Sequence, residues 1–202
     1  IAAAYFRNII WKGELTLWEN VAKKSPEKKR GHNNLGNIYS EQGRFNEAIK
    51  EYMEALKGGY MYATVHNNLG NVYSKQGRID EAAQEYMTAL RIKSNYADVH
   101  NNLGFTYYNL NRLDEAIKEY IMALTLEPDF ALAHNNLGLA YSKQGRFDEA
   151  IQEYLQALST KPDLAIAHNN LGLVCSRQGK YDEAIKEFTT AIRLKPDYIR
   201  AH

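Results

Sequence analysis

The five residues His32-Asn33-Asn34-Leu35-Gly36, HNNLG, return unchanged at His66, His100, His134 and His168, and a further histidine, His202, closes the chain. Each interval is 34 residues. So strict a period makes each repeat one supersecondary unit, which buries its apolar face only against its neighbours. Set in register, the units read HNNLGNIYSEQGRFNEAIKEYMEAL, HNNLGNVYSKQGRIDEAAQEYMTAL, HNNLGFTYYNLNRLDEAIKEYIMAL, HNNLGLAYSKQGRFDEAIQEYLQAL and HNNLGLVCSRQGKYDEAIKEFTTAI. Each holds two amphipathic stretches parted by a break of the QGR type.

At the helical increment of about 100° per residue, the His, the Leu three on, the Gly four on and the Tyr or Cys seven on share one face. That face is the expected core stripe of the first helix. In the second stretch the Ala, Ile, aromatic and Ala of EAIxEYxxAL supply the matching apolar face. Asp80, Asp114, Asp148 and Asp182 stand where they could cap the second helix, each followed by a Glu suited to its positive end. Pro128, Pro162 and Pro196 stop the second helix, and the Asp after each is a candidate cap for the next one. Small residues such as Gly70 and Ala82 would let the paired helices approach closely.

Leu-Gly, then Tyr, then Ala, aromatic, Ala and Pro at this spacing resemble the tetratricopeptide repeat. The resemblance covers Lys29 to Tyr198. It implies an all-α fold, a right-handed α-solenoid of stacked antiparallel helix pairs, with units at 29–62, 63–96, 97–130, 131–164 and 165–198. A degenerate partial repeat at 1–28 and the start of a further unit at 199–202 complete one solenoid domain. The chain departs from the family pattern at each His, where a bulky aromatic is usual, and at Cys175. Tyr60 and Ser94 replace the terminal proline of the first two units, and Gly58 and Gly59 precede Tyr60, so a looser first junction is expected.

The first 28 residues join the register without a gap. Aligning Pro26 with Pro128 places Trp18 on Tyr120, Leu15 on Ile117, Trp11 on Leu113, Tyr5 on Tyr107 and Ile1 on Leu103. Glu14 is the misfit, standing where other units have a small Ala. The stretch RNIIWKGELTLWENVAKKSPEKKRGHNNLG, Arg7 to Gly36, also resembles the segment after the last transmembrane helix of bacterial membrane proteins related to protein O-mannosyltransferases. That resemblance implies the soluble tail of a polytopic, glycosyltransferase-like parent. The opening Ile1 and the unfinished unit at His202 agree with a piece of a longer protein.

Lys and Arg number 25 against 24 Asp and Glu. With no cationic excess to neutralise a phosphate backbone or an anionic membrane, nucleic-acid binding is disfavoured. The single cysteine leaves the redox compartment, and with it the localisation, undecided. No apolar run approaches the roughly 18 residues that span a bilayer, so no direct membrane insertion of this stretch is expected.

Nothing in the repeat asks for catalysis. Equivalent histidines of neighbouring units should lie roughly 8 to 10 Å apart, the helix packing distance. Two ligands of one zinc each sit about 2 Å from it, so a histidine metal ladder is not expected. The favoured reading is a partly buried imidazole that fills the aromatic slot and donates one hydrogen bond. A shared titration near neutral pH is the alternative. Cys175 occupies a core position without a matching His and Asp, and no glycine pattern makes a phosphate loop. Carboxylate pairs such as Asp148-Glu149 recur in nearly every unit, which suits helix starts better than acid–base chemistry. The expectation is a protein that is not an enzyme, with no cofactor and no metal site.

What remains is the face opposite the core stripe, holding the residues one, five, eight and nine after each His and two before it. In a tetratricopeptide solenoid this side of the first helix lines the concave groove, an implication of the resemblance. The first asparagines, Asn33, Asn67, Asn101, Asn135 and Asn169, fall within it, and the second, Asn34, Asn68, Asn102, Asn136 and Asn170, fall on its margin. A carboxamide both donates and accepts, so a ladder of them can hold an extended main chain whatever its side chains. This is similar to the asparagine ladder of the O-linked N-acetylglucosamine transferase repeats. The alternative is that the asparagines bond to neighbouring units and set the superhelix.

Specificity would lie at the variable groove positions. Five after the His stand Asn37, Asn71, Phe105, Leu139 and Leu173; two before it stand Arg30, Thr64, Asp98, Leu132 and Ile166. Nine after it stand Glu41, Lys75, Asn109, Lys143 and Arg177, and Tyr108 adds an aromatic. Polar character gives way to an apolar strip, which marks a contact surface. In the family's heat-shock co-chaperones a Lys begins a clamp for a C-terminal carboxylate; here that place is Asn in every unit, so no such clamp is expected. The functional expectation is a scaffold that binds an extended peptide or partner segment in its groove. Its alternatives are an accessory domain presenting acceptor proteins to a membrane glycosyltransferase, and a homo-oligomer formed by end-to-end stacking.

Overall fold

The computed structural model describes residue 13 and residues 15–24, 29–57 and 62–196. Its helices group into two compact units, the first reaching to Ser94 and the second starting at Asn95. In the first unit lie α1 (residues 15–24), α2 (Lys29–Glu41), α3 (Phe45–Leu56), α4 (Ala63–Lys75) and α5 (Ile79–Ile92). In the second lie α6 (Ala97–Asn109), α7 (Leu113–Leu126), α8 (Ala131–Lys143), α9 (Phe147–Thr160), α10 (Ala165–Arg177) and α11 (Tyr181–Leu194). Among the described residues every regular element is a helix. The pairs α2–α3, α4–α5, α6–α7, α8–α9 and α10–α11 are hairpins, and within each unit successive hairpins pack as in an α-solenoid.

Each hairpin turns on the QGR break by one device. Gly145, at φ +78°, gives its N–H to the Ser142 carbonyl, and Arg146 gives its N–H to Tyr141 across 2.9 Å. This is the Schellman pairing, which closes the last carbonyls of the first helix and needs one left-handed residue. Asn111 takes that conformation in the third repeat, at φ 60°. The second helix then begins two residues earlier than the aspartates imply. Its N-caps are Arg44, Arg78, Arg112, Arg146 and Lys180, and none makes a side-chain cap bond.

The expected aspartate caps are therefore corrected. Asp80, Asp114, Asp148 and Asp182 lie inside the first turn, where they face the positive helix end without capping it. Asp114 and Asp148 instead accept hydrogen bonds from Gln144 and Gln178 of the following repeat, each across 2.8 Å. Asp129 and Asp163 do not cap either: Phe130 and Leu164 hold those N-cap places without a side-chain bond. The arginine closes the turn in their stead, with its guanidinium over the tyrosine of the first helix, as Arg146 lies 4.2 Å from the Tyr141 ring.

The core follows the stripes. Leu69 and Leu103 of the first helices and Ala82, Ala116, Ala150 and Ala157 of the second are at most 2 % exposed. Burying one such leucine stabilises by about 1.5–3 kcal/mol. At the close approach expected of Gly70 and Ala82, a Cβ on Gly70 would lie 2.6 Å from the Tyr86 ring of the paired helix. Gly36, Gly104 and Gly138 give the same room to Tyr52, Tyr120 and Tyr154, and Gly172 gives it to Phe188. Leu15 and Trp18 of α1 pack on a core that contains Leu35 and Tyr39. Ile1, Tyr5, Trp11, Glu14 and Pro26 lie outside the described residues, as do 58–61 and 197–202.

Candidate functional site

The repeated histidine has one partner throughout. Nδ1 of His32, His66, His100, His134 and His168 donates to Glu51, Glu85, Glu119, Glu153 and Glu187 of the paired second helix, at 2.5–2.7 Å. The offset is 19 residues each time, so the Glu before the second-helix aromatic of every unit carried the signal, which the reading of the first helix alone missed. Nε2 of His134 and of His168 also meets a carbonyl, that of Pro128 and Pro162 respectively. The Glu153 hydrogen bond holds the His134 pKa above the usual imidazole value against the opposing effect of burial. Among the described residues no group of His, Cys, Asp and Glu is arranged to hold a metal ion.

The asparagines of the motif are set between neighbouring first helices. In the second unit Asn170 Nδ2 donates to Asn135 Oδ1 at 3.0 Å, Asn135 Nδ2 to Asn136 Oδ1 at 3.2 Å, and Asn136 Nδ2 to Asn101 Oδ1 at 2.9 Å. The result is a continuous relay of carboxamides across α10, α8 and α6. In the first unit Asn68 donates to Asn33 and to Asn37 at 3.3 and 2.9 Å. Asn67, Asn101, Asn135 and Asn170 are buried, Asn135 to 1 % exposure. Asn34, Asn102, Asn136 and Asn169 are half-buried. Asn101 and Asn135 thus lie beneath the surface that the helical wheel assigns to them, because a carboxamide from the next repeat covers each.

The variable positions separate two kinds of groove. In the first unit Asn37, Asn68 and Asn71 share a cavity of about 250 Å³ with Glu41, Tyr52 and Lys75. The Tyr52 hydroxyl donates to Asn37 Oδ1 at 2.8 Å, and that of Tyr86 to Asn71 Oδ1 at 2.7 Å. Asn33 borders a second cavity, of about 300 Å³, with Arg30, Tyr62 and Thr64.

In the second unit Tyr108, Leu139, Lys143, Asn170, Leu173 and Arg177 come together around a cavity of about 240 Å³, which Ser142 and Tyr154 also line. Phe105 stacks on Tyr108 with ring centroids 6.5 Å apart, and the Lys143 ammonium lies 4.5 Å over the Tyr108 ring. Phe105, Leu132 and Leu173 are 41, 47 and 48 % exposed. Tyr154 escaped the sequence reading because it belongs to the second helix and to the core. Its signal was the loss, at Leu139, of the asparagine that stands opposite Tyr52 and Tyr86.

Several solved structures share this fold. MamA aligns at TM-score 0.71 and 26 % identity, over 82 % of this chain and 97 % of that one. YrrB, described as a TPR protein with an unusual peptide-binding site, aligns at 0.70 and 23 %, over 90 % of this chain and 94 % of the other. BtubC from P. vanneervenii aligns at 0.77 and 22 %, over 96 % and 91 %. No curated protein matches the chain. The model described as TPR repeat matches residues 36–77, 70–111 and 106–145, and the model described as Tetratricopeptide repeat matches 129–197. The chain belongs to the tetratricopeptide repeat family.

Proposed function

We propose that this chain is a protein-interaction scaffold, not an enzyme, and that its first-helix face in the second unit takes an extended segment of a partner. One observation carries the reading: exposed Leu173 lines a cavity with Tyr108, Lys143 and Arg177, and exposed Phe105 stacks on Tyr108. Large apolar side chains kept at the surface of a folded unit mark a contact site. The half-buried carboxamides of Asn102, Asn136 and Asn169 supply donors and acceptors for a bound main chain. The peptide-binding site in the description of YrrB is in keeping with this use of the fold.

The test is selection from a displayed random-peptide library. The wild-type chain should enrich peptides, and the Phe105→Ser, Leu173→Ser variant should bind them at least tenfold more weakly while melting at the same temperature, since both side chains are exposed. Failure to enrich any peptide, or equal binding by the variant, rejects the groove.

A second reading, self-association, is favoured by Tyr181, Ile185 and Ile192 on α11, which are 66, 62 and 45 % exposed. A solution mass that stays monomeric at every concentration removes it. The accessory-domain reading rests on the likeness of residues 7–36 to glycosyltransferase-like tails. Transmembrane helices encoded upstream of Ile1 would support it, and their absence would end it.

A further inference from the structure

The tyrosine beneath the groove changes its hydrogen-bond state between the two units. Tyr52 and Tyr86 each give their hydroxyl proton to an asparagine five positions after the repeat histidine. Opposite Tyr154 that position is Leu139, which has no acceptor. Tyr154 is 1 % exposed and lines the 240 Å³ cavity. A hydroxyl that opens to a cavity and lacks the side-chain acceptor its counterparts have favours a ligand atom that accepts a hydrogen bond.

The rim sets the charge of that ligand. Lys143 and Arg177 are exposed, line the same cavity, and form no ion pair among the described residues. The Arg-Glu pairs of the hairpin turns, such as Arg146 with Glu149, neutralise the nearby arginines; the two groove cations have no such carboxylate, and Lys143 lies over the Tyr108 ring. Around them stand Leu139, Leu173 and the Tyr108 ring. Two cations and a hydroxyl donor over an apolar floor match one carboxylate flanked by apolar groups.

Resting on the groove reading above, we infer that this cavity receives an internal Asp or Glu side chain of an extended partner segment, whose apolar neighbours pack on Leu139, Leu173 and Phe105. The carboxylate accepts the Tyr154 hydroxyl proton and pairs with Lys143 and Arg177. The polar cavity of the first unit, with Glu41 beside Lys75 and its tyrosine already bonded, lacks this preference.

The probe is a peptide of Glu-Leu-Pro repeats, acetylated and C-terminally amidated so that its only carboxylates are side chains. Gln-Leu-Pro and Lys-Leu-Pro repeats are its counterparts, and fluorescence anisotropy is the readout. The Glu peptide should bind at least tenfold more tightly than the Gln peptide, the Lys peptide least, about the ratio that charge-assisted hydrogen bonds supply. Tyr154→Phe should remove much of that ratio by weakening the Glu peptide alone. It keeps the ring, and Phe188 already fills the equivalent place under Gly172, so folding is preserved. Lys143→Gln with Arg177→Gln should remove the rest.

Equal binding of Glu and Gln peptides, or a ratio untouched by Tyr154→Phe and by the double variant, overturns the inference. If the displayed library yields neutral or basic peptides that still depend on Phe105 and Leu173, the acidic preference fails and the groove stands. If no peptide of any kind binds, the groove reading fails and takes the inference with it.

Discussion

Asn170 donates to the carboxamide of Asn135 across 3.0 Å, joining α10 to α8 with both residues buried. The bond links the second asparagine of one repeat to the first of the preceding repeat, and Asn136 repeats it toward Asn101. Because Asn135 also donates to Asn136, removing its side chain strips the partner from two neighbours at once. Asn135→Ala is expected to destabilise by about 1–3 kcal/mol, the cost of leaving buried polar groups unmatched. In urea unfolding, the Asn135→Ala, Asn170→Ala double variant should lose less than the sum of the two single losses. Strict additivity would show that the carboxamides do not act as a relay.

The glycines divide into two jobs, and substitution separates them. At Gly138 a Cβ would meet the Tyr154 ring at 2.8 Å and the Ala150 carbonyl at 3.1 Å. Neither the buried ring nor the backbone can yield, so Gly138→Ala should cost about 1–3 kcal/mol by overpacking. Gly145 has open space around a Cβ, and its difficulty is the left-handed backbone alone. Because Asn111 adopts that conformation in the third repeat, Gly145→Asn should cost less than about 1 kcal/mol. Comparable losses in thermal melts of the two variants would contradict this division.

The repeat made most of the fold readable, since one period carries both apolar stripes, the left-handed turn residue and the aromatic beneath each first helix. The aspartates misled because a cap is judged by chain order, whereas the Schellman closure let the preceding arginine start the helix. His134 was read correctly as a partly buried donor, yet its acceptor Glu153 lies on the other helix of the pair and is visible only when both wheels are docked. The asparagines were placed on the groove by angle alone. Angle says nothing of the next repeat, whose carboxamide buries Asn135. Tyr154 was assigned wholly to the core, because a side chain can fill a core with its ring and still turn its hydroxyl to a cavity.

Cys175 should be an inert thiol. It is 6 % exposed and packs with Leu171, Val174 and Ala184. Burial pushes its pKa up, against the opposing influence of Lys180, so little of the nucleophilic thiolate is present near neutral pH. Alkylation by iodoacetamide should be slow for the folded chain and should speed up in step with urea unfolding. Rapid labelling before the unfolding transition would place the thiol at the surface.

The His134 ring should make stability depend on pH in a definite direction. Nδ1 faces Glu153, Nε2 faces the Pro128 carbonyl, and Asp129 adds to the negative field. A carbonyl oxygen cannot donate, so the protonated ring satisfies both partners and the folded pKa rises above the unfolded value of about 6.5. A raised folded pKa means the folded state binds the proton more tightly than the unfolded one. The stabilisation is then fully present below about pH 6.5 and is lost as pH rises through the higher folded pKa. His134→Gln removes the titration but keeps a donor. The melting temperature of wild type relative to this variant should therefore fall between about pH 6 and pH 8. A difference that stays flat, or that grows with pH, would mean that His134 enters the fold uncharged and is a neutral filler of the aromatic slot.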